Sequence, residues 1–190
     1  MRISSKFFEK GPVSAAKALI GKRLICGECS GIVVETEAYA AENDKAAHTF
    51  TKPSARDFIR NHNAGTAYIY LNYGMYWLAN VLIKGKKGNG FVLIRAIRPD
   101  EGIDLMIKRR GMKKIRDLCS GPGKLTIALN IGREDHGKSF SENPKKFWFE
   151  ETKEKTIVTS DKRIGISKSK SLPWRFLEKD SNFVSKKKGR

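Results

Sequence analysis

Two acidic side chains and a nearby histidine are residues whose types and spacing could perform chemistry. Glu35 and Glu37 stand two positions apart in a β-type run, so their side chains share one face of a strand, about 7 Å apart. Tyr39 continues that face, and His48 follows nine residues later. If the face is buried, both carboxylates need partners, because unpaired buried acids are costly or titrate abnormally. The alternative is a solvated face with two ordinary acids.

Arg95 is the candidate partner for these carboxylates. It lies inside residues 91–97, an otherwise apolar run that predicts a strand buried on both faces. An arginine there needs an anionic partner, because an unpaired charge is costly to bury. We therefore expect Arg95 to pair with Glu35 and Glu37. The alternative is an edge strand from which Arg95 reaches solvent, and a histidine such as His48 is by itself more often structural.

The charge balance indicates a polyanionic partner. Thirty-eight Lys and Arg against 20 Asp and Glu give the 190-residue chain a net charge of +18 and a pI near 10.0. Aromatic residues are interleaved with the basic ones, which favours nucleic acid over an anionic membrane. The alternative is a basic surface without a specific partner. The length suits one domain with its own core.

Domain limits and location are expected from the same composition. We expect one domain over residues 1–184 and a flexible basic tail over residues 185–190. No run of about 18 apolar residues predicts a membrane span. No apolar segment follows Met1–Lys10 as in a secretory signal. The expected location is the cytoplasm of a prokaryote or the nucleus of a eukaryote.

The cysteines do not predict a metal site. Cys26 and Cys29 have C-x-x-C spacing, and Cys119 stands alone. Neither a second C-x-x-C nor a pair of spaced histidines completes a zinc set. Because the motif lies between two β-type runs, Gly27-Glu28 is interpreted as a hairpin turn.

Strands and short helices must position these residues. Alternating and β-branched residues predict strands, and apolar residues at helical spacing, bounded by proline or glycine, predict helices. The expected strands are residues 23–26, 32–39, 67–71, 76–83, 91–97, 146–149 and 156–159. The expected helices begin at Pro12, at Ile103 and within residues 120–124, and the first two end before Gly21 and Gly111. Residues 41–64 and 84–90 are expected to be loops.

Two connections carry unusual residues. Residues 72–75 predict a tight turn around Gly74, but its tip presents Tyr73 and Met75. Such a tip either folds back on the core or acts as a wedge between bases. Residues 120–124 place glycine amides and a lysine at a helix start, which suits a phosphate group. The spacing is not that of a nucleotide-triphosphate loop, so we interpret it as a contact with a nucleic-acid backbone.

Together the motifs resemble those of the alkyladenine-type 3-methyladenine DNA glycosylases, or methylpurine DNA glycosylases. In family order over roughly residues 5–178, they are Val34-Glu-Thr-Glu-Ala-Tyr39, Ala46-Ala-His48, Tyr68-Ile-Tyr-Leu-Asn-Tyr-Gly-Met-Tyr76 through Asn80, Val92-Leu-Ile-Arg-Ala96 and Cys119-Ser-Gly-Pro-Gly-Lys124. The resemblance implies one mixed α+β domain, with helices around an antiparallel barrel-like sheet and a protruding DNA-intercalating β-hairpin. It also implies no metal, cofactor or membrane, and a monomer that acts on double-stranded DNA containing a damaged purine.

The resemblance assigns roles residue by residue. Glu37 resembles the general base that activates water, and Arg95 resembles the arginine that holds this water with the backbone just after Trp174. The base-binding pocket would comprise the stacking residues Tyr39, His48 and Tyr70, with Asn80 against the amino group of guanine and Leu93 as a packing residue. The intercalating hairpin would present Tyr73, Met75 and Tyr76. The DNA backbone would contact Arg56, Gly121 and Lys124.

The implied activity is hydrolysis of the N-glycosidic bond of 3-methyladenine, 7-methylguanine, hypoxanthine and ethenoadenine. Loss of a purine passes through an oxocarbenium-like sugar, which a carboxylate can stabilise while it activates water. No lysine falls at the matched pocket positions, so no lyase activity is expected. The chain departs from the family at Ala64-Gly65, where Pro-Gly is usual, and at Asp57, where Asn is usual. A non-catalytic DNA-binding module or an RNA-binding protein is the alternative.

Overall fold

The β-type runs form one sheet in the computed structural model, which describes residues 1–141, 146–187 and 189. Within those residues the sheet has eight strands, and every pair is antiparallel. The strands are β1 (Arg23–Cys26), β2 (Cys29–Ala40), β3 (Ala67–Asn72), β4 (Tyr76–Gly85), β5 (Gly88–Glu101), β6 (Phe147–Glu150), β7 (Val158–Asp161) and β8 (Arg175–Glu178).

β2 is the strand on which the sheet is built. It pairs with β5 along one edge and with β1 and β8 along the other, in the order β3–β4–β5–β2–β1–β6. A bulge shifts its register, so that Val33 lies opposite Ile97 but Glu35 lies opposite Ala96. Bulges increase the local twist of a strand. The sheet curls into a half-barrel, which confirms the mixed α+β fold class.

Six α-helices in the described residues pack against this sheet. They are α1 (Pro12–Leu19), α2 (His48–Thr51), α3 (Pro53–Asn61), α4 (Ile103–Arg110), α5 (Ile115–Leu118) and α6 (Pro122–Leu129). Prolines begin α1 and α6, and Gly111 ends α4 in a left-handed conformation, so the three predicted helices are confirmed. α1 packs on β2, and α6 packs on β4 and β5.

The core lies between the sheet and these two helices. Phe8, Leu19, Val33, Ile94 and Phe149 are fully buried there. Thr36 is buried among them, and its hydroxyl donates to the carbonyl oxygen of Ala16 in α1 at 2.8 Å. This bond satisfies a polar group that burial would otherwise penalise. It also fixes the middle of β2, where the two acidic residues lie.

The prediction of a loop over residues 41–64 is wrong, because α2 and α3 occupy much of it. Many polar residues obscured the helical spacing of Ala55, Phe58 and Ile59. These three side chains pack on Tyr68 and on the aromatic residues around it. Tertiary contacts therefore decide the conformation of a stretch whose composition favours a loop.

The prediction of a loop over residues 84–90 is also wrong. β4 and β5 continue to Gly85 and Gly88, which face each other across a two-residue hairpin turn. Gly85 lies against the backbone of Glu9, where a Cβ atom would collide with the carbonyl group. A glycine at position 85 thus permits close packing of the two segments. Lys86 and Lys87 form the turn. The predicted strand over residues 156–159 is displaced to β7.

The predicted hairpin turn at Gly27-Glu28 is confirmed. Cys26 lies opposite Cys29 in the strand register across this turn. The described cysteines are buried free thiols. In the described part of the chain no helix is long and apolar enough to cross a membrane. The flexible tail stays a prediction, with Lys188 and Arg190 outside the described residues. Ser185 lies close to the domain, since its backbone N–H donates to Glu35.

Candidate active site

A cavity of about 710 Å³ opens between the β3–β4 hairpin, the start of α6, the chain around His48 and residues 164–168. Most of the residues expected at the site line it: Arg95, Tyr39, His48, Tyr70, Leu93, Tyr73, Tyr76, Gly121 and Lys124. Four other expected residues are not part of its lining: Glu37, Asn80, Met75 and Arg56.

Glu37 lies under the cavity floor. It is fully buried in β2 and is covered by three residues that line the cavity. The Tyr39 hydroxyl donates to Oε2 at 2.7 Å, and Arg95 Nη1 donates to the same oxygen at 3.3 Å. The backbone N–H of Ile164 donates to Oε1 at 2.7 Å. These donors fix the carboxylate in one orientation and use three of its roughly four acceptor positions.

Arg95 joins the two acids, as predicted from its apolar strand. Its Nε donates to Glu35 Oε1 at 2.9 Å, and its Nη1 reaches Glu37. Burial on its own would lower the pKa of Arg95, but the charges of Glu37 and Glu35 outweigh it and raise that pKa. The guanidinium therefore stays charged between two buried carboxylates. Glu35 and Glu37 both contact this guanidinium and are fully buried, so the alternative of a solvated strand face is wrong.

Aromatic rings form one side of the cavity. The rings of His48 and Tyr70 have centroids 4.3 Å apart. His48 Nδ1 lies 3.1 Å from the Tyr68 hydroxyl, so Tyr68 fixes the imidazole although it does not itself line the cavity. Burial, with a smaller effect of the Lys52 charge, lowers the pKa of His48 to about 4. The imidazole is therefore neutral near pH 7.

Tyr39 is held from behind by a buried ion pair. The guanidinium carbon of Arg163 lies 4.6 Å from the Tyr39 ring centroid, which is a cation–π contact. Asp44 accepts from Arg163 at 2.6 and 2.8 Å. Burial and the adjacent Glu37 raise the pKa of Tyr39 far above its usual range, which keeps the phenol protonated. The pair also holds the next residue, Ile164, above Glu37.

The hairpin tip projects beside the cavity. Tyr73 and Gly74 take positive φ values of 50° and 69°, which form the expected tight turn. Tyr73 is 82% exposed and Met75 is 66% exposed, so the tip does not fold back on the core. A Cβ atom on Gly123 would lie 2.8 Å from Tyr76, so the start of α6 packs closely against the hairpin. That glycine sets the distance between the tip and α6.

Basic side chains surround the mouth of the cavity. Lys124 lies at the start of α6 with Gly121, and its Nζ is 3.4 Å from the Ser120 hydroxyl. Arg110, at the end of α4, lines the same side. Lys45 and Lys168 line the wall opposite, and the Lys45 backbone donates to Ser169. Lysines therefore do reach the cavity, from positions that the motif match did not include.

The remaining expected residues lie around the cavity. Asn80 is buried in β4 opposite Leu93, and its Nδ2 donates to the Tyr68 carbonyl at 3.1 Å. Met75 lies on the exposed tip. Arg56 donates from α3 to the Thr49 carbonyl at 2.6 Å, so part of its guanidinium serves to join α2 and α3.

The expectation that the backbone just after Trp174 helps to hold the water stays a prediction. The Trp174 carbonyl itself accepts from the Ala38 backbone as β8 approaches β2. A backbone group that does reach the Glu37 carboxylate is the N–H of Ile164. No local pattern in the sequence indicates that this segment contacts the acid.

Four further residues build the site without having been expected there from the sequence: Asp44, Arg163, Tyr68 and Ile164. Arg163 alone carried a signal, since a charged residue beside apolar Ile164 suggests a buried pair. In the described residues no group of three His, Cys, Asp or Glu side chains is arranged to hold a metal ion.

Comparison with known proteins gives a consistent result. The model of the methylpurine-DNA glycosylase (MPG) family matches residues 6–182. A relative from Rhodopseudomonas palustris is 41% identical over 180 residues, which cover 95% of this chain and 86% of the relative. One from Agrobacterium fabrum is 40% identical over 97% of this chain and 93% of its own length. One from Clostridium tetani is 40% identical over 98% of this chain and 100% of its own length. Each carries the provisional name 3-methyladenine DNA glycosylase.

Proposed function

The chain belongs to the methylpurine-DNA glycosylase family, and on that premise we propose that it excises damaged purines from duplex DNA with Glu37 as the general base. It is a DNA-3-methyladenine glycosylase, an N-glycosyl hydrolase without lyase activity. Its proposed substrates are 3-methyladenine, 7-methylguanine, hypoxanthine and ethenoadenine. The observation that carries the proposal is a buried, oriented Glu37 carboxylate directly beneath an aromatic cavity with a basic mouth.

The reaction requires that the damaged nucleotide leave the base stack, because the bond is inaccessible inside a duplex. Tyr73 is the group that would occupy the vacated space, since it is aromatic, exposed and at the tip of a tight turn. Met75 and Tyr76 would pack against neighbouring bases. Insertion of such a wedge costs a few kcal/mol of stacking, which contacts with the flipped nucleotide offset.

The flipped purine would stack between Tyr39 on one side and His48 and Tyr70 on the other. Alkylation at a ring nitrogen gives the base a positive charge, which aromatic faces attract. A neutral His48 adds no repulsion against such a base, because its pKa is lowered to about 4. Asn80 and Leu93 lie at the same level of the sheet, where they would crowd the amino group of normal guanine.

Glu37 would accept a proton from the attacking water and stabilise the oxocarbenium-like sugar. Its remaining acceptor position suits a single water, and Arg95 lies close enough to help hold it. An alkylated base leaves without an acid because it is already cationic. The neutral hypoxanthine and ethenoadenine need a proton donor, to which we assign no residue.

The basic mouth would hold the DNA backbone. Gly121 and Lys124 present amides and an ammonium group at a helix start, where anions are favoured. Arg110 extends this surface, and Arg56 would contact the backbone farther out with its remaining donors. We further propose that a monomer with one domain acts on the DNA, in the cytoplasm where a bacterial genome lies.

The test compares wild type with Glu37→Gln on duplexes that contain either hypoxanthine or 3-methyladenine. Single-turnover excision is read by alkaline cleavage of the abasic product. We expect Glu37→Gln to bind lesion DNA normally and to excise at least about 10³-fold more slowly. Glu154→Gln, an exposed glutamate elsewhere, is the matched control and should retain the wild-type rate. Equal rates for wild type and Glu37→Gln would reject Glu37 as the base, and tight binding without excision by wild type would indicate a non-catalytic module.

A further inference from the structure

Glu35 is the second buried acid of β2, and the proposed reaction gives it no chemical task. Four donors in the described residues reach its carboxylate. They are Arg95 Nε at 2.9 Å, Arg175 Nη1 at 3.2 Å, and the backbone N–H and hydroxyl of Ser185, the latter at 2.9 Å. The last two come from a segment that the sequence placed in a flexible tail. The end of the described chain is therefore part of the network behind the active site.

The Ser185 hydroxyl links Glu35 and Arg95. It donates to Glu35 Oε1 and accepts from Arg95 Nη2 at 3.2 Å. The three guanidinium nitrogens of Arg95 thus each have a different partner: Nε binds Glu35, Nη1 binds Glu37 and Nη2 binds Ser185. A planar guanidinium with all three directions occupied cannot rotate about its stem. The contacts of Arg95 with Glu35 and Ser185 therefore fix its contact with Glu37.

The segment that carries Ser185 is anchored on both sides. Val184 is buried in a small cluster with Val34, Ala96 and Leu177, which lie on the three strands that hold the acids and their arginine partners. The carbonyl of Lys186 accepts from Arg175 Nη1 at 3.1 Å, and Arg175 also binds Asp161 at 2.7 Å. The hydroxyl is therefore held in place by packing before it and by an ion pair after it.

We propose that Ser185 is a positioning residue for the glycosylase reaction, which holds Arg95 in the orientation that aligns Glu37. The inference rests on the proposed function, because it concerns the geometry of the same carboxylate. Without the hydroxyl, Arg95 Nη2 loses its partner and the guanidinium turns towards Glu35. Misplacement of a reacting group by a fraction of an ångström lowers the rate with little effect on substrate binding. Ser185 itself does not line the cavity and acts only through Arg95, which does.

The experiment measures Ser185→Ala on the hypoxanthine duplex used above. We expect the single-turnover rate constant to fall about tenfold while the Kd for lesion DNA stays within about twofold. Ser185→Thr keeps a hydroxyl and should restore the rate to within about threefold of wild type. Ser181→Ala removes a hydroxyl from the same segment, away from Arg95, and should match wild type.

A second comparison separates positioning from stability. In an Arg95→Lys background, Ser185→Ala should have no further effect, because the group that it positions is gone. If Ser185→Ala does not fold, Ser185→Cys, which keeps the volume and weakens the hydrogen bonds, replaces it, with the same reduced rate expected.

The outcomes for the two proposals are distinct. Three results would overturn the positioning role alone, provided that Glu37→Gln abolishes excision. The first is a wild-type rate for Ser185→Ala or its replacement, and the second is an equal loss of rate and affinity in that variant. The third is a rate for Ser185→Thr that is as low as the rate for Ser185→Ala. Absence of excision by wild type on both duplexes would overturn both proposals.

Discussion

The buried ion network and the exposed hairpin tip solve opposite problems beside the same cavity. Behind the cavity, Glu35, Glu37, Arg95 and Arg175 are all buried, and each has at least two polar partners. In front of it, Tyr73 and Met75 are mostly exposed on a three-residue turn. The charged groups of the network pair with one another within the protein, whereas the side chains at the tip remain exposed.

The difference shows how catalysis and recognition are divided. A carboxylate that must meet one water in one orientation benefits from a fixed environment, since rearrangement during the reaction costs free energy. A wedge must remain exposed until it meets a duplex, so an apolar tip is tolerated for binding. Substitutions in the network should therefore affect both folding and rate, and substitutions at the tip should affect DNA binding or the excision rate without affecting folding.

The largest effect is expected from Arg95→Met. It leaves Glu35 and Glu37 buried without the cation that they share, which costs about 3–5 kcal/mol of unfolding free energy. The excision rate should fall at least about 100-fold. Urea unfolding and single-turnover assays measure the two effects. Arg98→Met, on the same strand but paired at the surface with Glu154, should cost less than about 1 kcal/mol. Similar losses for both variants would remove the distinction between network and surface.

Tyr73→Ser comes next and tests the tip. The free energy of unfolding should change by less than about 0.5 kcal/mol, because the side chain packs on little in the free protein. Affinity for lesion DNA or the single-turnover rate should fall about 10- to 100-fold, since the flipped state loses its wedge. Ile157→Ser removes an exposed apolar side chain elsewhere and is the control. Unchanged affinity and rate in Tyr73→Ser would rule out intercalation.

Lys124→Ala should have a smaller effect that is confined to the basic mouth. Loss of one phosphate contact is expected to reduce the slope of log K against log salt concentration by about 1. Affinity should fall by a similar factor for damaged and undamaged duplexes. Titrations at several salt concentrations measure both quantities, with the exposed Lys153→Ala as the control. An unchanged slope would mean that Lys124 contacts no phosphate.

The smallest effect concerns pH and again separates the two regions. The pKa of His48 is lowered to about 4 in the folded protein, so between this value and about 6.5 the unfolded chain binds a proton that the folded chain does not. The contribution of His48 to stability is therefore full above about pH 6.5 and is lost as the pH falls towards 4. Wild type should lose more unfolding free energy over this range than His48→Asn. Parallel pH curves for the two proteins would contradict a buried, neutral imidazole.

Local patterns were enough for much of the fold and for one long-range contact. Alternation predicted β3, a continuous apolar run predicted β5, and Gly111 predicted the end of α4. The pairing of Arg95 with two acids followed from a general cost, because a charge in an apolar strand requires a partner and the sequence offered one acidic face. The helices over residues 48–61 were not predicted, because their stability comes from packing on Tyr68 and not from a clear local pattern.

Other parts of the site depend on segments that sequence reasoning cannot bring together. Asp44 and Arg163 are separated by 119 residues, and nothing in either neighbourhood indicates the other. Ser185 is followed directly by three lysines, a composition typical of a solvated tail, yet its hydroxyl lies between two buried charges. Such contacts follow from the return of β8 to β2, which only the folded chain shows.

The bond between Glu35 and Ser185 spans 150 residues, almost the whole chain, and this bears on when an active enzyme first exists. At roughly 5–20 residues per second, ribosomes need about 8–30 s between the two residues. During that time the N-terminal strands can pair with each other, but Glu35 and Arg95 lack the residues that complete their environment. Contacts this distant in the chain also form slowly, because a large loop must close first. An incomplete translation product would therefore carry the exposed hairpin before it carried an aligned Glu37 carboxylate.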